Sequence, residues 1–311
     1  MIAARLSGLC PALAVALLVG GAPLQAQAGN YEIRLKRAWA GAFADRTSVD
    51  ASMEIRHTHT KANRVRSGGD DGDIHFSGVS SDIGLPFVAE VVNAGLPAQR
   101  AAVATIIKKQ ANGQRLAITG AWRLWFEHPA RRQTQGGSDA FNPDNTNPDH
   151  SFEIHPASRV DQQNLGGSFV PIAGYEAYKA DVAFPYFDGC EVTIKSSSSG
   201  ISIRSKKLKY NYVEFGIELA SAPRAVQDGY IVSARVLTDD GEEAADGLRR
   251  MIFVQGTTAA LAVQNASAGD RLRVLGIPRI SLNKVISLVE KNGTRQFNAQ
   301  LPYEMIIAGV F

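Results

Sequence analysis

The sequence predicts a mainly β protein organised as two small barrels in tandem, each carrying one short helix. Three observations lead there. Short segments of alternating apolar and polar residues recur along the chain, separated by Gly- and Asp-rich turns. The order three strands, one helix, two strands can be read twice. Finally, "GQRLAITG" (113–120) and "GDRLRVLG" (269–276) share the pattern G-x-R-L-x-[IV]-x-G just after the helix of each half.

Residues 1–28 have the layout of a secretory leader. Arg5 supplies the positive start, "ALAVALLVG" the apolar stretch, and Ala26-Gln27-Ala28 a small-x-small cleavage signal. The apolar run is shorter than the roughly 20 residues of a membrane span. Cys10 follows Leu9 rather than a small residue, which argues against a lipid anchor. The expected product is periplasmic or secreted, begins at Gly29, and has no transmembrane span. Losing Cys10 leaves Cys190 alone, so no intramolecular disulfide is expected, and "FDGCEVTIK" reads as a buried thiol. The chain has 33 Lys+Arg against 30 Asp+Glu, and removal of Arg5 leaves 32 against 30. So even a balance gives no electrostatic argument for nucleic acid. The basic runs "IRSKKLKY" (203–210) and "EHPARR" (127–132) read as solvated faces.

The first barrel is expected over 29–165. "SMEIRHTHT" (52–60), "DGDIHFSGV" (71–79) and "PFVAEVV" (86–92) read as strands. "LPAQRAAVATIIKKQANG" (96–113) shifts to a helical period, with Pro97 in the first turn, Val103, Ile106 and Ile107 on one face, and Gly113 as the stop. "RLAITGAWRLWF" (115–126) and "SFEIHPASRV" (151–160) complete the set. Between these two strands, 128–150 is rich in Gly, Pro, Asn and Asp and reads as an exposed loop bordering the ligand face. The second barrel is expected over 166–311, preceded by a helix ending near Pro185 and a hairpin at 191–205. Its strands are "NYVEFGIEL" (211–219), "GYIVSARVL" (229–237) and "LRRMIFVQG" (248–256). A helix capped by Thr257 follows, then "RLRVLGIPRI" (271–280) and "VISLVE" (285–290). Asn292-Gly293 predicts a further hairpin. The order β-β-β-α-β-β is that of the OB-fold, a five-stranded Greek-key barrel.

All six histidines (57, 59, 75, 128, 150 and 155) fall in the first half. Strand alternation puts Asp71, Asp73 and His75 on one face and Glu153 and His155 on another. Should these faces converge, His75, His155 and Asp73 become candidate ligands for zinc or a similar divalent metal, with Glu153 as the candidate catalytic base. The plainer expectation is a set of polar strand faces, with His57 and His59 exposed and His155-Pro156 marking a strand end. Trp122, Leu124 and Phe126 share a face that looks like core. Trp125 lies opposite with Arg123, and these two, with Arg131 and Arg132, are the candidate ligand-binding residues. Neither H-E-x-x-H nor C-x-x-C is present, and there is no Walker A loop, dinucleotide fingerprint or G-x-S-x-G elbow.

"DGDIHF", "GAWRLW" and "HSFEIHP" together resemble a family of secreted bacterial OB-like proteins of unassigned function, with a DGDxH strand and an E[IL]HP segment. The resemblance covers roughly residues 51–160. It implies a secreted barrel and brings no activity with it. Two functions are therefore expected. The first is a non-enzymatic binding module, without cofactor, whose barrels take an extended ligand such as single-stranded nucleic acid, an oligosaccharide or a peptide, or an envelope protein. The alternative is a metal-dependent hydrolase, with phosphodiesters as a substrate class.

Overall fold

The computed structural model describes residues 31–66, 70–137 and 145–311, so the expected leader at 1–28 lies outside the described residues. An N-terminal strand β1 (Tyr31–Lys36) and helix α1 (Arg37–Phe43) precede the first barrel. That barrel comprises β2 (Ser48–Thr58), β3 (Ile74–Val79), β4 (Pro86–Val91), helix α2 (Arg100–Ala111) and β5 (Arg115–Leu124). A short strand β6 (Arg132–Thr134) intervenes before β7 (Phe152–Val160), which closes the barrel and is followed by β8 (Gln163–Asn164). The connecting region holds β9 (Tyr178–Lys179), α3 (Ala180–Asp188) and the hairpin β10 (Glu191–Ser196) and β11 (Gly200–Ser205). The second barrel starts with β12 (Val213–Leu219), β13 (Arg224–Val226), β14 (Gly229–Leu237), β15 (Arg249–Val254) and α4 (Thr258–Val263). It continues through β16 (Arg271–Ile280), α5 (Leu282–Asn292), β17 (Gln296–Gln300) and β18 (Tyr303–Val310).

Both barrels close in the same way. In the first, β2 pairs antiparallel with β3 and β5, β3 with β4, and β5 with β7. A parallel pairing of β4 with β7 shuts it. In the second, β12, β14, β15, β18 and β16 form the same cycle, shut by the parallel pair β15–β18. The fold is a tandem of OB-like barrels. Alternation drives it: Ile74 and Phe76 of β3 are buried, as are Val213, Phe215, Ile217 and Leu219 of β12. Helix α2 buries Ala102 and Ile106, while Thr257 caps α4 by accepting a hydrogen bond from the Ala260 amide at 3.1 Å. Cys190 is buried and unpaired. Among the described residues, no helix is long and apolar enough to cross a membrane.

Four expectations need correction. "VISLVE" lies in α5, because Leu282, Val285 and Val289 follow a helical stripe that a six-residue window reads as apolar strand. Asn292-Gly293 is the end of that helix, with Gly293 at φ 71° and its amide bonded to the Val289 carbonyl, so no hairpin forms there. The fifth strand of the second barrel is β18. His155-Pro156 is not a strand end: β7 runs on to Val160 with register shifts opposite Thr119, Gly120 and Trp122. A Cβ at Gly120 would lie 2.5 Å from the Pro156 carbonyl oxygen, so this glycine is what lets β5 approach the irregular part of β7.

A third sheet, β17-β10-β11-β1-β6, crosses the boundary expected at residue 165, since its strands come from both sides of it. It also draws in the expected exposed loop: Gln133 of β6 is buried, bonding the Pro86 carbonyl and the Ser151 amide. At its centre Glu32 accepts hydrogen bonds from Arg34, Ser202 and Arg204.

The two barrels pack directly. Arg279 of β16 lies 3.6 Å over the Trp122 ring of β5 and donates to the Trp122 carbonyl at 3.1 Å and the Arg46 carbonyl at 3.0 Å. Its own barrel holds it through Glu304 at 2.8 Å. Both side chains are fully buried. Arg279→Ala removes the cation and opens a void at the seam, so urea unfolding should lose about 3 kcal/mol or more. A loss typical of an exposed pair, about 1 kcal/mol or less, would contradict this account of the seam.

Burial works to raise the Glu32 pKa, but the Arg34 and Ser202 hydrogen bonds and the charges of Arg34 and Arg204 outweigh it and bring it to about 2. Its folded value is therefore below its unfolded one. The stability it contributes is present above the unfolded value of 4.5 and is lost as pH falls towards 2. Thermal melts of Glu32→Gln should show a smaller drop in Tm between pH 7 and pH 3 than the wild type. An equal drop in both would assign acid sensitivity to other carboxylates.

Candidate metal centre

Strand register places the chemistry. His75 of β3 sits directly opposite Glu90 of β4, and the parallel pairing sets Ala89 beside Ile154, which brings Glu90 next to His155 of β7. The row His75–Glu90–His155 therefore follows from adjacent strands of one closed barrel. Asp71 and Asp73 come in from the turn before β3, where Asn63 donates to Asp73 Oδ1 at 2.9 Å.

The contacts are close. Glu90 Oε1 lies 3.4 Å from His75 Nε2, and Glu90 Oε2 lies 3.1 Å from His155 Nε2. Asp73 forms an ion pair with His75 Nε2. Two groups of ligand atoms converge, Asp71/Glu90/His155 and Asp73/His75/Glu90, each with its atoms within 4.8 Å of one another. Glu90 belongs to both. Asp73 Oδ2, the atom paired with His75, and Glu90 Oε2, which faces His155, are buried and accept no well-aligned hydrogen bond. Buried carboxylates whose only partners are poorly aligned histidines are a place where a cation adds favourable interactions.

Asp71, Asp73, His75 and Glu90 line a cleft of about 520 Å³, and His155 is fully buried beside Glu90. One wall is the barrel, with Asp73, His75, Glu90 and Glu153; the other is the connecting region, with Tyr175, Tyr178, Lys179 and Tyr210. Tyr212, just before β12, reaches across to His155 Nε2 at 2.8 Å. The first barrel and the chain leading into the second thus share the site.

Burial and crowding of like charge shift the carboxyls of the cleft. Burial, then the charges of Asp73 and Glu90, push the Asp71 carboxyl up to about 8. Asp73 and Glu90 are held below their usual range: burial opposes this, and the neighbouring histidines outweigh it. His75 is raised well above its usual value, with burial opposed by Glu90 and Asp73.

Glu153 has a different role from the expected catalytic base. Its Oε1 is bound by His150 Nε2 at 2.8 Å, and its Oε2 by Arg123 at 2.6 Å, with His155 Nδ1 3.4 Å away. Both oxygens are thus already engaged, one by His150 and the other by Arg123, with His155 alongside. Arg123 faces Glu153 directly across β5 and β7 and also binds Glu127 at 2.9 Å and the Pro278 carbonyl at 3.1 Å. It lines the cleft but is 1% exposed, its guanidinium held by these partners.

Trp125 is corrected as well. It is 1% exposed and meets Phe187 edge-to-face at 5.6 Å, so α3 covers the face on which a ligand was expected to stack. Arg131 and Arg132 are exposed but lie at the third sheet, where Arg132 is 3.5 Å from Glu32, and neither lines the cleft. His59 is half-buried, its ring 5.1 Å from that of His75. The structure thus brings together His75, His155 and Asp73 and adds Asp71 and Glu90; of the four ligand-binding candidates Arg123 reaches the same cleft, while Trp125, Arg131 and Arg132 do not line it. Glu90 was missed in the sequence. A lone carboxylate inside the apolar run "PFVAEVV" was the available signal.

No family model matches the chain, and no curated protein does. Among solved structures, one described as "Structural mimicry for functional antagonism" is 8% identical, over 86% of this chain and 95% of that one, at a TM-score of 0.21. A second, described as "Structure of murine DNA binding protein bound with ds DNA", is 9% identical, over 84% and 98%, at a TM-score of 0.18. Neither score supports an argument about this chain. What fold and site define is a tandem OB-like barrel protein with an acid–histidine cleft in its first barrel.

Removing one of the crowded charges relieves the metal-free protein. Asp71→Asn should therefore raise the melting temperature measured in chelator at pH 9, above the carboxyl's value of about 8, where its charge is present. A lowered melting temperature would mean that the carboxyl stabilises the empty fold. Glu153→Ala should do the opposite, leaving Arg123 buried without its main partner at a cost of about 3–5 kcal/mol.

Proposed function

We propose that the protein is a metal-dependent hydrolase whose centre is the cleft of the first barrel. The observation that carries this is the convergence of Asp71, Asp73, His75, Glu90 and His155 in the first barrel, the first four on the cleft itself, with two buried carboxylate oxygens lacking a well-aligned hydrogen bond. Mixed carboxylate and imidazole donors suit zinc, manganese or iron. A divalent cation there supplies a Lewis acid and lowers the pKa of bound water.

The chain's own residues do the rest. Glu153 holds the Nδ1 side of His155, the carboxylate–histidine arrangement that orients a metal ligand; Nε2 faces Glu90 and the Tyr212 hydroxyl, which a bound cation would displace. Arg123 keeps Glu153 ionised: burial opposes this, and the guanidinium charge outweighs it. Tyr175, Tyr178 and Lys179 form the outer wall and would contact the substrate. The leader-like N-terminus would put this chemistry in the periplasm or outside the cell. The alternative, a binding module for an extended ligand, loses support because its named contacts are buried or lie on another sheet.

The test is turnover of chromogenic phosphodiester, phosphomonoester and carboxylic ester substrates by metal-stripped and reloaded protein. Activity should appear only on reloading and vanish in His155→Ala, while Glu153→Gln should weaken metal affinity about 10–100-fold. A protein that takes up no metal, or takes it up without turning over any of the three, is not this hydrolase.

A further inference from the structure

Glu90 is placed like a bridge. Its two oxygens face opposite neighbours, Oε1 towards His75 and Oε2 towards His155. Each side has its own second carboxylate, Asp73 with His75 and Asp71 with His155. The two groups of ligand atoms share Glu90 and nothing else. A single cation centred in one group leaves the other group's aspartate and histidine unused, although both pairs are largely buried. The buried Oδ2 of Asp73 and Oε2 of Glu90, both without a well-aligned hydrogen bond, fall one in each half of this arrangement: the first belongs to the His75 side and the second faces His155.

Building on the metal-centre reading, we infer that the cleft holds two divalent cations bridged by the Glu90 carboxylate, with Asp73 and His75 completing one site and Asp71 and His155 the other, and that its substrate is a phosphodiester. Carboxylate-bridged pairs of cations sit about 3.5–4 Å apart, a spacing that one shared carboxylate between adjacent strands can span.

Charge decides the substrate class. Among the ligating groups, Asp71, Asp73 and Glu90 bring three negative charges when ionised; beside them Arg123 is shared between Glu153 and Glu127. One divalent cation leaves the centre net negative, and it repels an anion. Two leave the ligand set itself one net positive charge, which favours a singly charged anion such as a phosphodiester over a more highly charged one. In the reaction, the oxygen of water forms a new bond to phosphorus as the bond to the ester oxygen breaks. One proton of the water passes to solvent, and the departing oxygen takes one up, giving a phosphomonoester and an alcohol. The two cations stabilise the entering and leaving oxygens.

The experiment uses the whole mature chain, stripped with chelator, reloaded with Mn2+ and desalted. Metal content is measured together with the electron paramagnetic resonance spectrum, and folding is checked by circular dichroism. Two manganese ions per chain with an exchange-coupled spectrum are expected. Asp73→Asn should keep one ion, with no coupling, and Glu90→Gln should lose the coupling. Hydrolysis of bis(p-nitrophenyl) phosphate should appear only with the second equivalent of metal. One ion per chain in the wild type, or activity complete at one equivalent, overturns the paired centre and leaves the single-metal hydrolase standing. Two uncoupled ions overturn the bridge. No metal uptake overturns both readings. If Glu90→Gln does not fold, wild-type coupling and Asp73→Asn stoichiometry decide.

Discussion

The parallel pairing of β4 with β7 is the constraint on which the rest depends. It closes the first barrel, and closure removes the strand edges that an open five-stranded sheet would expose. The same pairing sets Glu90 between two histidines from strands that are not neighbours in the sequence. Without it, β3 and β7 would have no common neighbour on this side, and no acid–histidine row would form. The site is thus a product of barrel topology and needs no special loop to assemble it.

Holding so many charged groups in a protein interior is unfavourable unless each is paired. On the far side of the row this is arranged fully: Glu153 binds His150, Arg123 and lies against His155, and Arg123 in turn reaches Glu127 and the second barrel at Pro278. At the cleft it is not. Asp71, Asp73 and Glu90 crowd together, two of their oxygens lack a well-aligned hydrogen bond, and one carboxyl is pushed up to about 8 by burial and its neighbours. A structure that satisfies its buried charges on one side and leaves them strained on the other concentrates that strain at a site able to take a cation. The seam between barrels then fixes the outer wall, since Arg279 stacked on Trp122 and Tyr212 against His155 tie the second barrel to the first.

Much of the fold was legible because its signals are local. Alternation in "DGDIHFSGV" and "NYVEFGIEL", and the helical period of 96–113, each mark an element whose pattern survives in the structure. Where apolar residues were short of a full period, the reading failed: "VISLVE" is one face of α5, seen through too narrow a window. The third sheet was invisible because its strands are brought together from residues as far apart as 31 and 300 by tertiary contact alone. Of the site, Asp73, His75 and His155 stood out as polar residues alternating with apolar ones. Glu90 did not, since it is one carboxylate within a buried strand, and only the partner strands on either side give it a role. Trp125 misled for a related reason: strand alternation predicts which way a side chain points, but not that a later helix will cover it.

The most direct test of the central claim is anomalous diffraction from crystals of the protein grown with Mn2+, recorded near the manganese absorption edge. The account predicts anomalous density in the first-barrel cleft, within coordination distance of Glu90 and flanked by His75 and His155. A cleft without anomalous density in crystals that hold manganese elsewhere would contradict it, and the acid–histidine row would then be a buried polar network of the barrel alone.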